Sequence, residues 1–490
     1  MKKTGPRQLN LVFADSPSGG GKAKPADASV RRSLLLQIAG RKKTTGPGAG
    51  VADASRLLEL VACEANLASA LLNVARNKGA PGLDGQTVEM AQAKAASIIA
   101  RVRRDLLGES YRPGEVRRVW LPKPGGGRRG LGIPNVVDRM VQQAVLQVLE
   151  PIFEPLFHAS SHGFRPKRGA HTAIAEAKAY LTDGYRTVVD IDLAQFFDRV
   201  HHQRLLARLA QRVSDPGIVR LVRLMLTSVV VMPDGTKVAV TEGTPQGGPL
   251  SPLLSNIVLD ELDCELARRG LRFVRYADDC NIFVRSERAG QRVMTSIRGF
   301  LEKRLRLQIN EEKSGVRPPD EVHFLGFSFD IDGRADGGVA VRPSAKAKRR
   351  LMTTMREMTP PNWGRSIASC MDNISRYLTG WISHFRLCTR EAVEELGVVD
   401  AHVRRRVRAI IVRQKKRPRF LYRHLKARGV TEKSAAGCAF RGKGAWVKSN
   451  RPAMTKAYAP SWFHEHMASL KALWRERNSP KVSAQLSLEL

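Results

Sequence analysis

FVRYADDCNIFVR, residues 273–285, decides how this chain is read. Its two apolar runs, FVRYAD and CNIFVR, predict two strands, with the adjacent carboxylates Asp278 and Asp279 at a tight turn between them. Like charges side by side repel, so clustering them costs energy unless a cation neutralises them. Carboxylate oxygens are the ligands Mg²⁺ prefers, and a pair of Mg²⁺ ions is the expected cofactor. Taken alone, the tetrapeptide Tyr276-Ala277-Asp278-Asp279 also fits an ordinary exposed Asp-Asp turn. A further apolar run, RTVVDIDL at 186–193, predicts a buried strand carrying Asp190 and Asp192, two residues apart and therefore on one face. A third carboxylate from a neighbouring strand is what a two-metal phosphoryl-transfer site requires, and only one of these two need be a ligand.

The charge of the whole chain points to the substrate class. Of 490 residues, 82 are Lys or Arg and 46 are Asp or Glu, a net charge of +36. Solubility needs far less, so a polyanionic partner is expected, nucleic acid first. With 42% hydrophobic residues the chain can bury a sizeable core, and its length allows roughly two to four domains. The most apolar stretch, 219–233, contains Arg220 and Arg223, so no transmembrane helix is predicted. Lys2 and Lys3 lead into no apolar run, which argues against a signal peptide. The six cysteines form no C-x-x-C pair, so neither a zinc ribbon nor a disulfide framework is indicated, and a cytoplasmic location is expected.

Outward from the carboxylates, the pattern divides the chain. Residues 1–50 are rich in Gly, Lys, Ser and Pro, with 10 basic and 2 acidic residues, and are expected to be a disordered basic tail. Helical patterns cover about 52–77, 87–107, 135–157, 202–212, 216–230, 250–269 and 289–306. Strands are expected at 116–121 and 186–193, and a hairpin through Pro233-Asp234-Gly235. HFLGFSFDIDGR and GVAVRP predict a second hairpin, and the chain from 344 reads as helices over 344–358, 366–387 and 390–416. Residues 401–430 hold 12 Lys or Arg and no Asp or Glu, more than one solvated helix face needs. Such a stretch suits a surface that tracks a phosphate backbone.

An ordered set of blocks now resembles the group II intron-encoded reverse transcriptases and maturases. The blocks are APGLDG (80–85), LPKPGGGRRGLGIPNVVDRMVQQAV (121–145), SHGFRPKRGAH (161–171), VVDIDLAQFFDRVHH (188–202), GTPQGGPLSPLLSNIVL (243–259), RYADD (275–279), LQINEEKS (307–314), FLGFSF (324–329), YLTGWISHFR (377–386) and GKGAWVKS (442–449). They span about four-fifths of the chain. The resemblance implies an α+β right-hand polymerase with helical fingers, an antiparallel-sheet palm, a helical thumb and a small basic C-terminal domain. It places the reverse transcriptase fingers and palm at 51–343, the thumb or maturase X domain at 344–425, a DNA-binding domain at 426–478 and a flexible tail at 479–490. It implies RNA-directed DNA synthesis coupled to binding and splicing of the host intron RNA, with target DNA and deoxynucleoside triphosphates as further partners.

Carried over residue by residue, the resemblance makes Asp192, Asp278 and Asp279 the catalytic and metal-binding carboxylates, with Asp190 behind them. Phe197 falls five residues after Asp192, where such polymerases set a bulky ring against the sugar C2′ to reject ribonucleotides; a core aromatic is the alternative. Lys123 and Arg129, on the Gly-rich loop, match residues that hold the incoming triphosphate, with Arg128 assisting. Gln246-Gly247-Gly248 is expected to open a helix after a Thr-Pro turn, and Gln246 and Gly247 match the segment that lies against the nascent base pair. Lys313 is a candidate proton donor to departing pyrophosphate, with a salt bridge to Glu311 or Glu312 as the alternative. His201 and His202 match a structural histidine. Arg404, Arg405, Arg406, Arg408 and Arg413 are expected to contact RNA phosphates, and Lys443 and Trp446 to contact DNA.

Relatives often carry a His-Asn-His endonuclease module with paired C-x-x-C ligands, and no such pairs occur here, which fits the bacterial class C type. Two other functions remain open at this point: a maturase that only folds RNA, and a domesticated reverse transcriptase in phage defence or DNA repair. The intact set of carboxylates disfavours the first. Finally, QLNLVF at 8–13 and QLSLEL at 485–490 resemble short peptides that enter the apolar pocket of the replication sliding clamp, which makes that clamp a candidate partner.

Overall fold

A computed structural model describes residues 56–122, 126–331, 338–442 and 444–479. Lys123, Lys443, the tail at 1–50 and both candidate clamp peptides lie outside the described residues. Described residues up to Ala173, with Val189–Val316, form one compact unit; Ile174–Val188 and the residues from Arg317 onward form a second.

The first unit carries most of the sheet. Strands β1 (Val116–Pro122) and β2 (Arg128–Ile133) form an antiparallel hairpin. After β3 (Thr187–Asp192) come β4 (Val230–Val231) and β5 (Lys237–Val238), the short hairpin foreseen around Pro233-Asp234-Gly235. Strands β6 (Arg272–Tyr276), β7 (Asp279–Val284) and β8 (Gly315–Arg317) complete the set. The sheet β6-β7-β3-β8 is the palm, and it brings Asp192 at the end of β3 beside the β6–β7 turn. A separate sheet runs β2-β1-β4-β5.

Helices cover the sheets for readable reasons. Asp215 caps the helix Pro216–Leu226 from its Oδ1, with proline at the first helical position, where a missing N–H costs nothing. Ser286 caps the helix Glu287–Phe300 in the same way. Helix Val136–Phe153 is almost entirely core: Met140, Val141, Ala144, Val145, Val148 and Leu149 have no exposed surface. Burial of this kind contributes about 1.5–3 kcal/mol per large apolar side chain. Asn66, buried on the neighbouring helix Glu64–Arg76, donates to the Ala144 carbonyl and accepts from Gln147, so its amide is not left unsatisfied.

Expected elements differ in detail, and the helix foreseen at about 52–77 is two, Leu57–Val61 and Glu64–Arg76, broken at Ala62-Cys63. The helix foreseen at 87–107 is two helices, Val88–Ala93 and Ala95–Leu107, because Lys94 ends one and begins the next in a non-helical conformation. The helix foreseen to 230 stops at Leu226, where the Thr227 hydroxyl bonds back to the Arg223 carbonyl. Gln246-Gly247-Gly248 does not open the following helix; it forms the turn before it, and the helix runs Ser251–Arg268.

The second unit is helical apart from the antiparallel hairpin of β9 (Phe327–Asp330) and β10 (Ala340–Pro343). Phe324, Phe327 and Phe329 of the FLGFSF block are buried, and the Phe327 ring sits 4.9 Å from Phe385 at the end of the YLTGWISHFR block. Helices Ala345–Met358, Ile367–His384 and Arg390–Gln414 share a second core with the shorter helices between 418 and 477. Buried Asp400 on the long helix accepts from the Leu470 and Lys471 amides and so caps the helix Leu470–Arg477.

Candidate active site

The β6–β7 connection is as tight as a hairpin can be. Tyr276 pairs with Asp279, which leaves Ala277 and Asp278 as the loop. Ala277 adopts φ 57°, a left-handed conformation that costs a non-glycine residue of order 1 kcal/mol or more. The turn also presses on a neighbouring backbone: a Cβ on Gly163 would lie 2.3 Å from the Ala277 nitrogen. Glycine is required there by close approach, not by turn geometry.

Asp278 and Asp279 are half-buried. Burial pushes the Asp278 carboxyl up; Asp192 adds to the shift, while Arg129 and Lys313 oppose it. Asp279 is pushed well above the carboxylate range, by burial first and then by Asp190, Asp278 and Asp192, with Lys313 again opposing. The three carboxylates expected to work together, and Asp190, therefore lie within electrostatic reach of one another. Lys313 sits on Asp192, with Nζ 3.1 Å from both carboxylate oxygens. Its position follows from the LQINEEKS block, which lies along the end of β3: the Asn310 amide donates to the Asp192 carbonyl at 2.9 Å, and the Asp192 amide donates to Ser314 Oγ at 2.9 Å. Glu311 pairs with Arg298.

Among the described residues, no three His, Cys, Asp or Glu side chains form a ready-made metal cage. The donor chemistry nevertheless suits a divalent cation. The carboxylates of Asp278 and Asp279, whose ionised forms burial disfavours, gain most when a cation arrives, and an ammonium already sits on neighbouring Asp192.

Residues expected around the carboxylates are gathered in the same unit. Phe196 is fully buried, while Phe197, 5.3 Å away edge to face, is half-buried. The core aromatic of the pair is thus Phe196. The Phe197 carbonyl accepts from the Thr244 amide at 2.6 Å, and Gly243 (φ 89°) lies so close that a Cβ there would meet the Phe197 and Asp198 carbonyls at 2.9 Å. The same loop reaches β2, where the Gly132 amide donates to the Gln246 carbonyl at 2.7 Å. A Cβ on Gly247 would lie 2.5 Å from the Gly132 carbonyl. Gln246, Gly247 and Phe197 are therefore held on one backbone frame, with Arg128 and Arg129 exposed at the tip of the β1–β2 hairpin. His202 is buried with Nε2 2.6 Å from the Gly243 carbonyl, and His201 caps the helix His202–Ala210.

In the second unit, the five arginines do not share one environment. Arg408 is buried, over the Phe463 ring and near Thr455 Oγ1. Arg406 donates to the Arg356 and Thr359 carbonyls and the Thr359 hydroxyl. Arg405 stacks 4.0 Å from the Trp446 ring, whose other neighbour is His402. Arg404 is half-buried and Arg413 is exposed at the last turn. His466 stacks on Trp462.

Sequence reasoning missed the residues beneath the turn: Arg275, Asp263, Asn256 and Ser161. The signal was present, since an arginine in an apolar strand demands a buried partner, and Asn256 and Asp263 stand seven apart on one face of an apolar helix.

Residues 121–329 match the reverse transcriptase (RNA-dependent DNA polymerase) family, whose members use divalent metal ions. Residues 348–429 match the maturase-specific domain of group II introns. Over 312 residues the chain is 36% identical to Protein YkfC of Escherichia coli K12, covering 55% of this chain and 82% of YkfC. Over 355 residues it is 28% identical to the group II intron-encoded protein LtrA of Lactococcus lactis, covering 59% of this chain and 58% of LtrA. Over 293 residues it is 27% identical to the putative COX1/OXI3 intron 2 protein of Saccharomyces cerevisiae, covering 48% of this chain and 34% of that protein. The chain thus spans most of YkfC, but little more than half of LtrA and a third of the yeast protein. No helix among the described residues is long and apolar enough to cross a membrane. With its polymerase and maturase-specific segments in one chain, this protein belongs to the family of group II intron-encoded reverse transcriptases and maturases, RNA-directed DNA polymerases that also serve splicing.

Proposed function

We propose that this protein binds its host intron RNA, assists its splicing and copies it into DNA at a target site, with Asp192, Asp278 and Asp279 holding two Mg²⁺ ions. The observation that carries this reading is the cluster of half-buried carboxylates at the β6–β7 turn, within reach of Asp190, Asp192, Lys313 and Arg129. Two Mg²⁺ ions held there would supply the positive charge that favours attack of a primer 3′-hydroxyl on an incoming triphosphate. Arg129, with Lys123, grips the triphosphate, and Gln246 and Gly247 lie along the nascent base pair. Phe197 blocks a ribose 2′-hydroxyl. Lys313 leaves Asp192 and delivers its proton toward pyrophosphate.

For nucleic acid, the exposed Arg413 and half-buried Arg404 are the better phosphate contacts, while Arg405 presents Trp446, with Lys443 close by in sequence, to DNA. The fingers and palm are assigned to 51–343, the thumb to 344–425 and the DNA-binding domain to 426–478. The protein acts in the cytoplasm, where the intron transcript is made. Purified protein should extend a DNA primer annealed to an RNA template in Mg²⁺, and Asp278→Ala should abolish extension while leaving intron RNA affinity unchanged. Extension by Asp278→Ala at the normal rate would remove the assignment. Primer ends at replication forks would be reached through the sliding clamp by peptides 8–13 and 485–490; equal clamp binding by these peptides and their Leu-to-Ala controls would exclude that route.

A further inference from the structure

Arg275 has no exposed surface, and every donor of its guanidinium is used. Nε donates to Asp263 Oδ1 at 2.7 Å, and Nη2 donates to Asp263 Oδ2 at 2.5 Å and to Ser161 Oγ at 2.7 Å. Nη1 donates to Asn256 Oδ1 at 3.0 Å and to the Ala277 carbonyl at 2.9 Å. A guanidinium offers five N–H groups in a rigid fork, and here each has an acceptor. Its main chain is held as well: the Arg275 amide donates to the Ser160 carbonyl and the His162 amide donates to the Arg275 carbonyl, both at 2.9 Å. Asn256 closes the arrangement by donating to the Gly163 carbonyl at 2.9 Å, and Gly163 is the residue on which the Ala277 nitrogen rests.

The carbonyl that Arg275 grips belongs to the peptide joining Ala277 to Asp278. That peptide leaves a residue in a strained left-handed conformation, which persists only when its surroundings over-determine it. We propose that Arg275, braced by Asp263, Asn256 and Ser161, is a positioning residue that locks the Ala277 carbonyl and thereby presents Asp278 and Asp279 to the divalent metal in binding geometry before the metal arrives. A rigid fork is needed for this task. A lysine in its place keeps the charge but cannot bridge Asp263, Asn256 and the Ala277 carbonyl at once. The binding free energy of the metal would then be spent partly on ordering the turn, so the defect should fall on metal affinity, and saturating metal should rescue it.

The inference rests on Asp278 and Asp279 being metal ligands, and the test separates the two. Primer extension by the full chain is measured across a Mg²⁺ titration for wild type, Arg275→Lys, Ser161→Ala and Asp278→Ala, with thermal melts across the same titration, which read metal affinity without catalysis, and primer–template KM taken in parallel. Arg275→Lys should need about tenfold more Mg²⁺ for half-maximal rate, the worth of one or two charge-assisted hydrogen bonds, and should approach the wild-type rate at saturation. Its primer–template KM should not change. Ser161→Ala, which removes one acceptor from a folded neighbour, should shift the same midpoint by a smaller factor, and it decides the matter if Arg275→Lys fails to fold. Asp278→Ala should stay inactive at every Mg²⁺ concentration; activity there would overturn the ligand assignment itself. A folded Arg275→Lys or Ser161→Ala with the wild-type Mg²⁺ midpoint, or a rate deficit that metal does not rescue, would overturn the positioning role.

Discussion

The β6–β7 turn and the helix Arg390–Gln414 both concentrate like charge, and they hold it differently. At the turn, two acidic groups are kept close and partly buried, and the Arg275 guanidinium beneath them is taken up by Asp263, Asn256, Ser161 and the Ala277 carbonyl. Lys313 and Arg129 at the edge ease the mutual repulsion. Along the helix, the repulsion among arginines is dispersed. Arg408 turns inward, Arg406 bonds carbonyls, Arg405 stacks on an indole, and Arg413 faces solvent. Charge stored at one rigid point suits binding a small cation in fixed geometry. Charge spread among partners of differing strength suits a polyanion, where register matters less than total neutralisation.

Single substitutions should therefore have large, local consequences at the turn and small, graded ones on the helix. The largest is expected from Asp192→Asn, which removes a metal carboxylate and releases Lys313. Single-turnover extension should fall by roughly a thousandfold or more, the several kcal/mol that metal-assisted charge stabilisation provides. A fall of only a few-fold would mean that the carboxylates are not a unit. Next is the Phe196 and Phe197 pair. Phe197→Val should raise ribonucleotide incorporation by about tenfold or more with little change in melting temperature. Phe196→Val should lower the melting temperature and leave sugar selection alone. Reversed phenotypes would exchange their roles.

On the helix, Arg408→Ala should cost about 2 kcal/mol of stability in denaturant unfolding, since it removes buried packing as well as the hydrogen bond to Thr455. Arg413→Gln should leave stability unchanged and reduce the salt slope of RNA affinity by roughly 0.7–0.9. A slope unaffected by Arg413→Gln yet reduced by Arg408→Ala would break the distinction between exposed and internal arginines.

Much of this was legible in the chain. Alternating and continuous apolar runs around Asp192 and Asp278 located β3, β6 and β7, and the Asp-Asp pair between the last two located the turn. The long, strongly patterned helices were also readable. The helix Ala170–Thr182 was not, because its many alanines blur the apolar stripe. Short helices after 418 escaped for the opposite reason: basic residues crowd their apolar positions, and their order comes from contacts such as that of Asp400 with the Leu470 amide. The Ser161 contact of Arg275 lay beyond pattern reading because the two residues are 114 apart. Likewise, five arginines in one helix looked equivalent until burial separated them.

That Asp192, Asp278 and Asp279 gather the divalent metal is tested without relying on catalysis by iron-directed cleavage. With Fe²⁺ in place of Mg²⁺, hydrogen peroxide and ascorbate should cut the purified chain beside Asp192 and within the Ala277–Asp279 turn, and excess Mg²⁺ should suppress both cuts. Cleavage confined to other segments, or cuts at these two that persist in Asp278→Ala, would contradict it.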